Sequence, residues 1–185
     1  MAALRHSMRR RALAGLAPLA VVAACSDAAP SPDRLELATI PRWREVPKST
    51  PAQLVAAFDR FCTDRAPDMD AQDAKLRAAG YLPKVRARAD RPALYVVDDR
   101  RPAVAVSDRI CAVRAIARTG QRERVNRYVA DTFPTARALA RDGLSRDVEQ
   151  AWAIDGGMIA TTRNLWVGNV TTYTVTLFTP DSRDG

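Results

Sequence analysis

The chain predicts an α+β fold, an antiparallel sheet of about six strands with helices packed on one face. Three observations lead there. Apolar residues recur at helical spacing over 50–62 and 121–132, while 93–116 and 148–179 break into short β-branched runs. Turn residues separate neighbouring runs closely enough to make hairpins. The order of elements also reads the same way twice, as two successive ααβββ units over 49–117 and 119–180.

The first helix has the clearest start. Thr50-Pro51-Ala52-Gln53 sets an N-cap, a proline at N1 and a glutamine at N3, the pattern of a capping box. Leu54, Val55, Phe58, Phe61 and Cys62 then share one face. A second short helix is expected from Asp70 to just before Gly80, which suits the position after a helix end. Ala93–Asp98, Ala103–Ser107 and Ile110–Ile116 read as strands, the first two joined by Asp98-Asp99-Arg100-Arg101. In the second half Gln121–Thr132 is helical, with Val125, Tyr128 and Val129 on one face. Pro134–Arg141 is expected as a short helix closed by Gly143. Val148–Asp155, Met158–Arg163 and Thr171–Thr179 are strands, with Gly156-Gly157 at a hairpin. An offset of 67 sets Arg60 on Arg127, Asp64 on Asp131 and Pro67 on Pro134, and it places Phe58 on Val125. A single non-repeating roll of the same elements is the other arrangement this order permits.

The N-terminus carries a different kind of information. Arg5, Arg9, Arg10 and Arg11 precede the apolar stretch Ala12–Ala24, which is too short for a bilayer-spanning helix and suits a signal-peptide core. It ends in Val22-Ala23-Ala24-Cys25. These residues resemble the lipobox of bacterial lipoproteins, in which the cysteine is lipidated and becomes the first residue of the mature chain. The resemblance covers only this leader and implies residues 1–24 as signal peptide, acyl chains on Cys25, and a location in the cell envelope facing the periplasm. Two or more chains hold a protein stably at a membrane, whereas one holds it marginally. Secretion without lipid also satisfies the small residues Val22 and Ala24. Residues 25–48 read as a tether, because Pro30, Pro32, Pro41 and Pro47 interrupt helix. Extended, it would reach roughly 70 Å.

Composition excludes more than it selects. The only histidine is His6, in the leader. Without that segment, Ser-His-Asp and Cys-His catalysis, histidine-ligated zinc and histidine pH switching have no residue to act through. The full chain carries 29 basic and 21 acidic residues. Four of the basic ones leave with the leader, so the net charge falls from +8 to +4, too diffuse for nucleic-acid binding. Cys62 and Cys111 form an even pair in an oxidising compartment, and a disulfide is expected.

Most candidate motifs dissolve on inspection. Asp64, Asp68, Asp70 and Asp73 lack the glycine and the closing glutamate of a calcium loop. Asp98 and Asp99 are adjacent at a turn, so they do not converge as an acid–base pair. No serine sits in a nucleophile motif, and Gly156-Gly157 is too sparse for a phosphate loop. No cofactor is implied. The partner-binding candidates are Trp166 and Leu165 in an expected hairpin connection, Trp43 between Arg42 and Arg44, and Arg86 and Arg88 in a basic stretch.

The duplicated ααβββ order resembles the general architecture of the β-lactamase-inhibitory proteins, and a single unit resembles small lipoproteins that assist outer-membrane β-barrel assembly. Those likenesses rest on architecture alone. The expected function is a non-catalytic, membrane-anchored envelope lipoprotein that binds a protein partner or has a structural role. A periplasmic inhibitor or immunity protein is a variant of it, and a carboxylate-dependent glycan hydrolase is the enzymatic alternative.

Overall fold

The computed structural model describes residues 31–41, 45–88 and 91–180. The expected leader 1–24, Cys25 and Trp43 lie outside the described residues. Among the described residues, eight antiparallel strands form one sheet in the order β1-β2-β3-β4-β8-β7-β6-β5, with four α-helices. The strands are β1 Leu82–Val85, β2 Ala93–Val96, β3 Ala103–Val106, β4 Ile110–Ile116, β5 Arg137–Ala138, β6 Val148–Ile154, β7 Gly157–Val167 and β8 Val170–Phe178. Two four-stranded meanders therefore meet along β4 and β8, in register from Ile110 opposite Phe178 to Ile116 opposite Thr172.

The helices are α1 Pro32–Thr39, α2 Pro51–Phe58, α3 Met69–Ala78 and α4 Gln121–Thr132. The capping box forms as the sequence predicts: Gln53 N donates to Thr50 Oγ1 and Thr50 N donates to Gln53 Oε1. A π-helical turn, Asp59–Thr63, extends α2. It turns Phe61 and Cys62 inward, where Cys62 is disulfide-bonded to Cys111 of β4 with a Cα separation of 5.3 Å. Buried Gln72 closes the end of that turn, its Nε2 donating to the Phe61 carbonyl and its Oε1 accepting from Ala66 N. Leu54, Phe58, Leu76, Val125 and Val129 pack on Tyr95, Val104, Val113, Ile159, Tyr173 and Val175. One face of the sheet is thus covered by α2, α3 and α4.

Five expectations are corrected. The sheet has eight strands where about six were predicted. β1 is not among the expected strands, since the basic segment around Lys84 reads as a connection; it lies at the sheet edge, where a proline is tolerated. The helix expected over Pro134–Arg141 is absent. Arg137–Ala138 instead pair with Ala153 and Trp152 of β6, and Arg141–Gly143 form a 3₁₀ turn. The open edge of β6 outweighs local helix propensity there. The second half therefore has no counterpart of α3, and a tandem ααβββ repeat is not what the element order shows.

The last correction concerns residues 31–48. Pro32 starts a helix instead of preventing one, because at N1 its missing N–H has no partner to lose. Ile40 and Leu37 then pack on Leu94, Val96 and Ala103. Those side chains alternate with the core-facing Tyr95 and Val104, so α1 lies on the opposite face of the sheet from the other helices. Helices occupy both faces. Beyond α1, Val46 and Ser49 are also buried, and the Pro47 carbonyl accepts from Ile116 N at 3.0 Å. The segment 45–49 is a strap bound to the sheet.

Candidate functional site

The strap, the β2–β3 hairpin and the tip of β7–β8 enclose a cavity of about 530 Å³, within the roughly 300–1,000 Å³ typical of small-molecule sites. Each wall has a local cause. Val46, Pro47 and Lys48 are held by the Ile116 N to Pro47 O bond and by buried Ser49, whose Oγ donates to the Arg100 carbonyl at 2.7 Å. That second bond fixes Asp98, Asp99 and Arg100 of the hairpin as the facing wall. Ile116 closes the end of β4, and Trp166, Val167 and Val170 come from the hairpin tip.

The tip itself differs from the expected connection over Asn164–Gly168. β7 continues to Val167, and the turn is made by Gly168 and Asn169, with Gly168 at φ +57°. Pairing shifts between Leu165 and Val167, and this bulge brings Trp166 over the cavity. The Trp166 ring is half-buried, with the Arg114 guanidinium 5.5 Å from its centre. Its Nε1–H is buried and has no acceptor among the described residues. Leu165 points to the other side of the strand and is 76% exposed. Val167 and Val170 are exposed as well, so the tip is an apolar projection.

The polar groups of the cavity are unevenly matched. Arg101 holds Asp99 through both its backbone N–H and its Nε, each at 2.6 Å. Asp98 also has an interaction of its own. Among the described residues no carboxylate pairs with Lys48 or Arg100. Arg114 behind Trp166 donates from Nε to Thr174 Oγ1 at 3.2 Å, and burial lowers the pKa of its guanidinium.

The other candidates are scattered. Arg86 and Arg88 are exposed and follow β1; neither lines the Trp166 cavity. Arg86 borders a shallow cleft with Asp70, Asp73 and Tyr95. Arg88 pairs through its backbone with Arg91 beside Arg109. The aspartates of 64–73 have structural duties: Asp68 caps α3, Asp64 binds Lys75, and Asp73 binds Arg77 and Tyr95. Lys75 holds Asp64 below the usual carboxylate range. Burial pushes Asp73 up, but the bonds from Tyr95 and Arg77 outweigh it and the net shift is downward. A carboxylate held in its charged form is the opposite of a general acid. Among the described residues, no group of three acidic, cysteine or histidine side chains is placed to hold a metal ion.

Of the expected partner-binding residues, Trp166 lines this cavity and Leu165 does not; the sequence reading considers an N-terminal strap only at Trp43 and does not anticipate Val46–Lys48, Asp98–Arg100 or Ile116 as walls. One signal was available: Val46, an apolar residue beside Pro47, has no reason to sit in a solvated tether. No protein family, curated protein or solved structure matches this chain.

Proposed function

We propose that this chain is a membrane-anchored lipoprotein of the bacterial cell envelope, held by acyl chains on Cys25, and that its domain is a non-catalytic module for binding an envelope protein. The observation that carries the reading is the apolar tip of β7–β8, where Leu165 is 76% exposed beside half-buried Trp166. An exposed leucine next to an anchored aromatic is the composition of a binding hot spot. The buried disulfide agrees with an oxidising compartment. The tether of this reading is shorter than the sequence suggests, since α1 and the strap belong to the domain.

The test places a photo-crosslinking amino acid at Asn169, in the turn beside Leu165, in the full chain expressed in native envelopes. A discrete crosslinked protein is expected, reduced at least about fivefold by Leu165→Ser and kept by Leu35→Ser, a control at another exposed leucine on α1. Loss of the product in a Cys25→Ala chain would tie binding to anchoring. No discrete product, or equal yield from Leu165→Ser, overturns the reading.

A further inference from the structure

The cavity inside the tip has chemistry that docking through Leu165 does not use, since that side chain does not line it. Its apolar walls are Val46, Ile116, Trp166, Val167 and Val170. At its mouth stand Lys48 and Arg100, which no described carboxylate neutralises, while Asp99 is held by Arg101. Trp166 adds a buried N–H donor without an acceptor among the described residues.

We infer that this cavity is a binding site for a fatty carboxylate, its single hydrocarbon chain against Val46, Ile116 and Val170 and its carboxylate at Lys48 and Arg100. Three features select this ligand. The volume of about 530 Å³ is enough for one hydrocarbon chain. The apolar lining gives a chain a place out of water. A carboxylate head fits the two cations, Lys48 and Arg100, that line the cavity.

The inference goes beyond the protein-docking reading and stands or falls separately. The experiment uses the full chain in zwitterionic nanodiscs with a dodecanoate probe carrying a terminal diazirine, followed by mass-spectrometric mapping of the labelled residues. Labelling is expected to concentrate in 46–48, 116 and 166–170. Val170→Trp, which fills the cavity, should lower it at least about tenfold, and Lys48→Ala/Arg100→Ala about fivefold or more. The matching dodecanol probe should label several-fold less than the carboxylate. Leu165→Ser should leave labelling unchanged, which separates this result from failure of the docking reading. Far-UV circular dichroism and the thermal midpoint identify folded variants, and Ile116→Trp is a second cavity-filling variant should Val170→Trp not fold. Labelling spread evenly over the surface, or undiminished in a folded cavity-filling variant, overturns the site. Equal labelling by the alcohol and the carboxylate overturns the assignment of the head group. Blocking of the probe by the crosslinked envelope protein in the wild type but not in Leu165→Ser would make the occupant a protein side chain and overturn it too.

Discussion

Ser49 Oγ donates to the Arg100 carbonyl across 51 residues of sequence, at 2.7 Å, with Ser49 fully buried. This bond is where the N-terminal strap becomes part of the domain, since it joins the two walls of the cavity that local sequence does not connect. Ser49→Ala leaves the Arg100 carbonyl without that donor and should cost about 1–3 kcal/mol in urea unfolding. An unchanged midpoint would mean that the strap is held by Val46 and the Pro47 carbonyl alone.

The disulfide joins the π-helical turn to the centre of the sheet and closes a loop of 49 residues. In the chain-entropy account such a loop contributes roughly 4 kcal/mol. The double variant Cys62→Ala/Cys111→Ala should lose about that much stability while keeping its far-UV spectrum. Because both sulfurs are buried, mild reductant should act slowly on the folded wild type; rapid reduction would contradict the burial.

Arg77 clamps α1 to the domain, with NH1 on Asp33 and Nε on Asp73, each at 2.7 Å. The three side chains are over a third exposed, so solvent screens the pairs and their worth is about 1 kcal/mol or less. Arg77→Ala should therefore leave the global midpoint nearly unchanged and speed hydrogen exchange in 32–41 selectively. Global destabilisation above about 2 kcal/mol would show that α1 is part of the cooperative core.

Tyr81 predicts an alkaline weakness. Burial pushes its phenol up to about 12 from an ordinary 10, and its hydroxyl donates to the Pro102 carbonyl at 3.0 Å. Tyr173 is pushed to about 12 by burial as well. Above pH 10 the unfolded chain releases these protons first, so the folded state binds more of them and stability falls as pH rises. The contribution is fully present below pH 10 and is lost between 10 and about 12, by about 2–3 kcal/mol for each fully shielded phenol. Tyr81→Phe should make the alkaline loss visibly shallower in denaturant titrations at pH 9 and 11; an identical slope would refute the role given to burial.

Much of this molecule was legible locally. The capping box at Thr50, α4 to the residue, the hairpin β2–β3 and the inward face carrying Cys62 all follow from spacing and turn chemistry. These features are decided by neighbours within a few positions, where capping and periodicity act directly. The sequence by itself also determined that His6 is the only histidine, and the expected pairing of Cys62 with Cys111 is what the structure shows. Tertiary structure decided the rest, wherever a local preference met a distant edge or face. Pro134–Arg141 lost helix to the open edge of β6, and Leu82–Val85 became a strand by lying beside β2. The supposed tether became α1 and a strap because Ile40, Val46 and Ser49 found Val96, the sheet edge and the Arg100 carbonyl. The cavity belongs wholly to that second class. Its walls come from residues 46–48, 98–100, 116 and 166–170, and no short-range pattern records a juxtaposition produced by burying apolar surface from four separate segments.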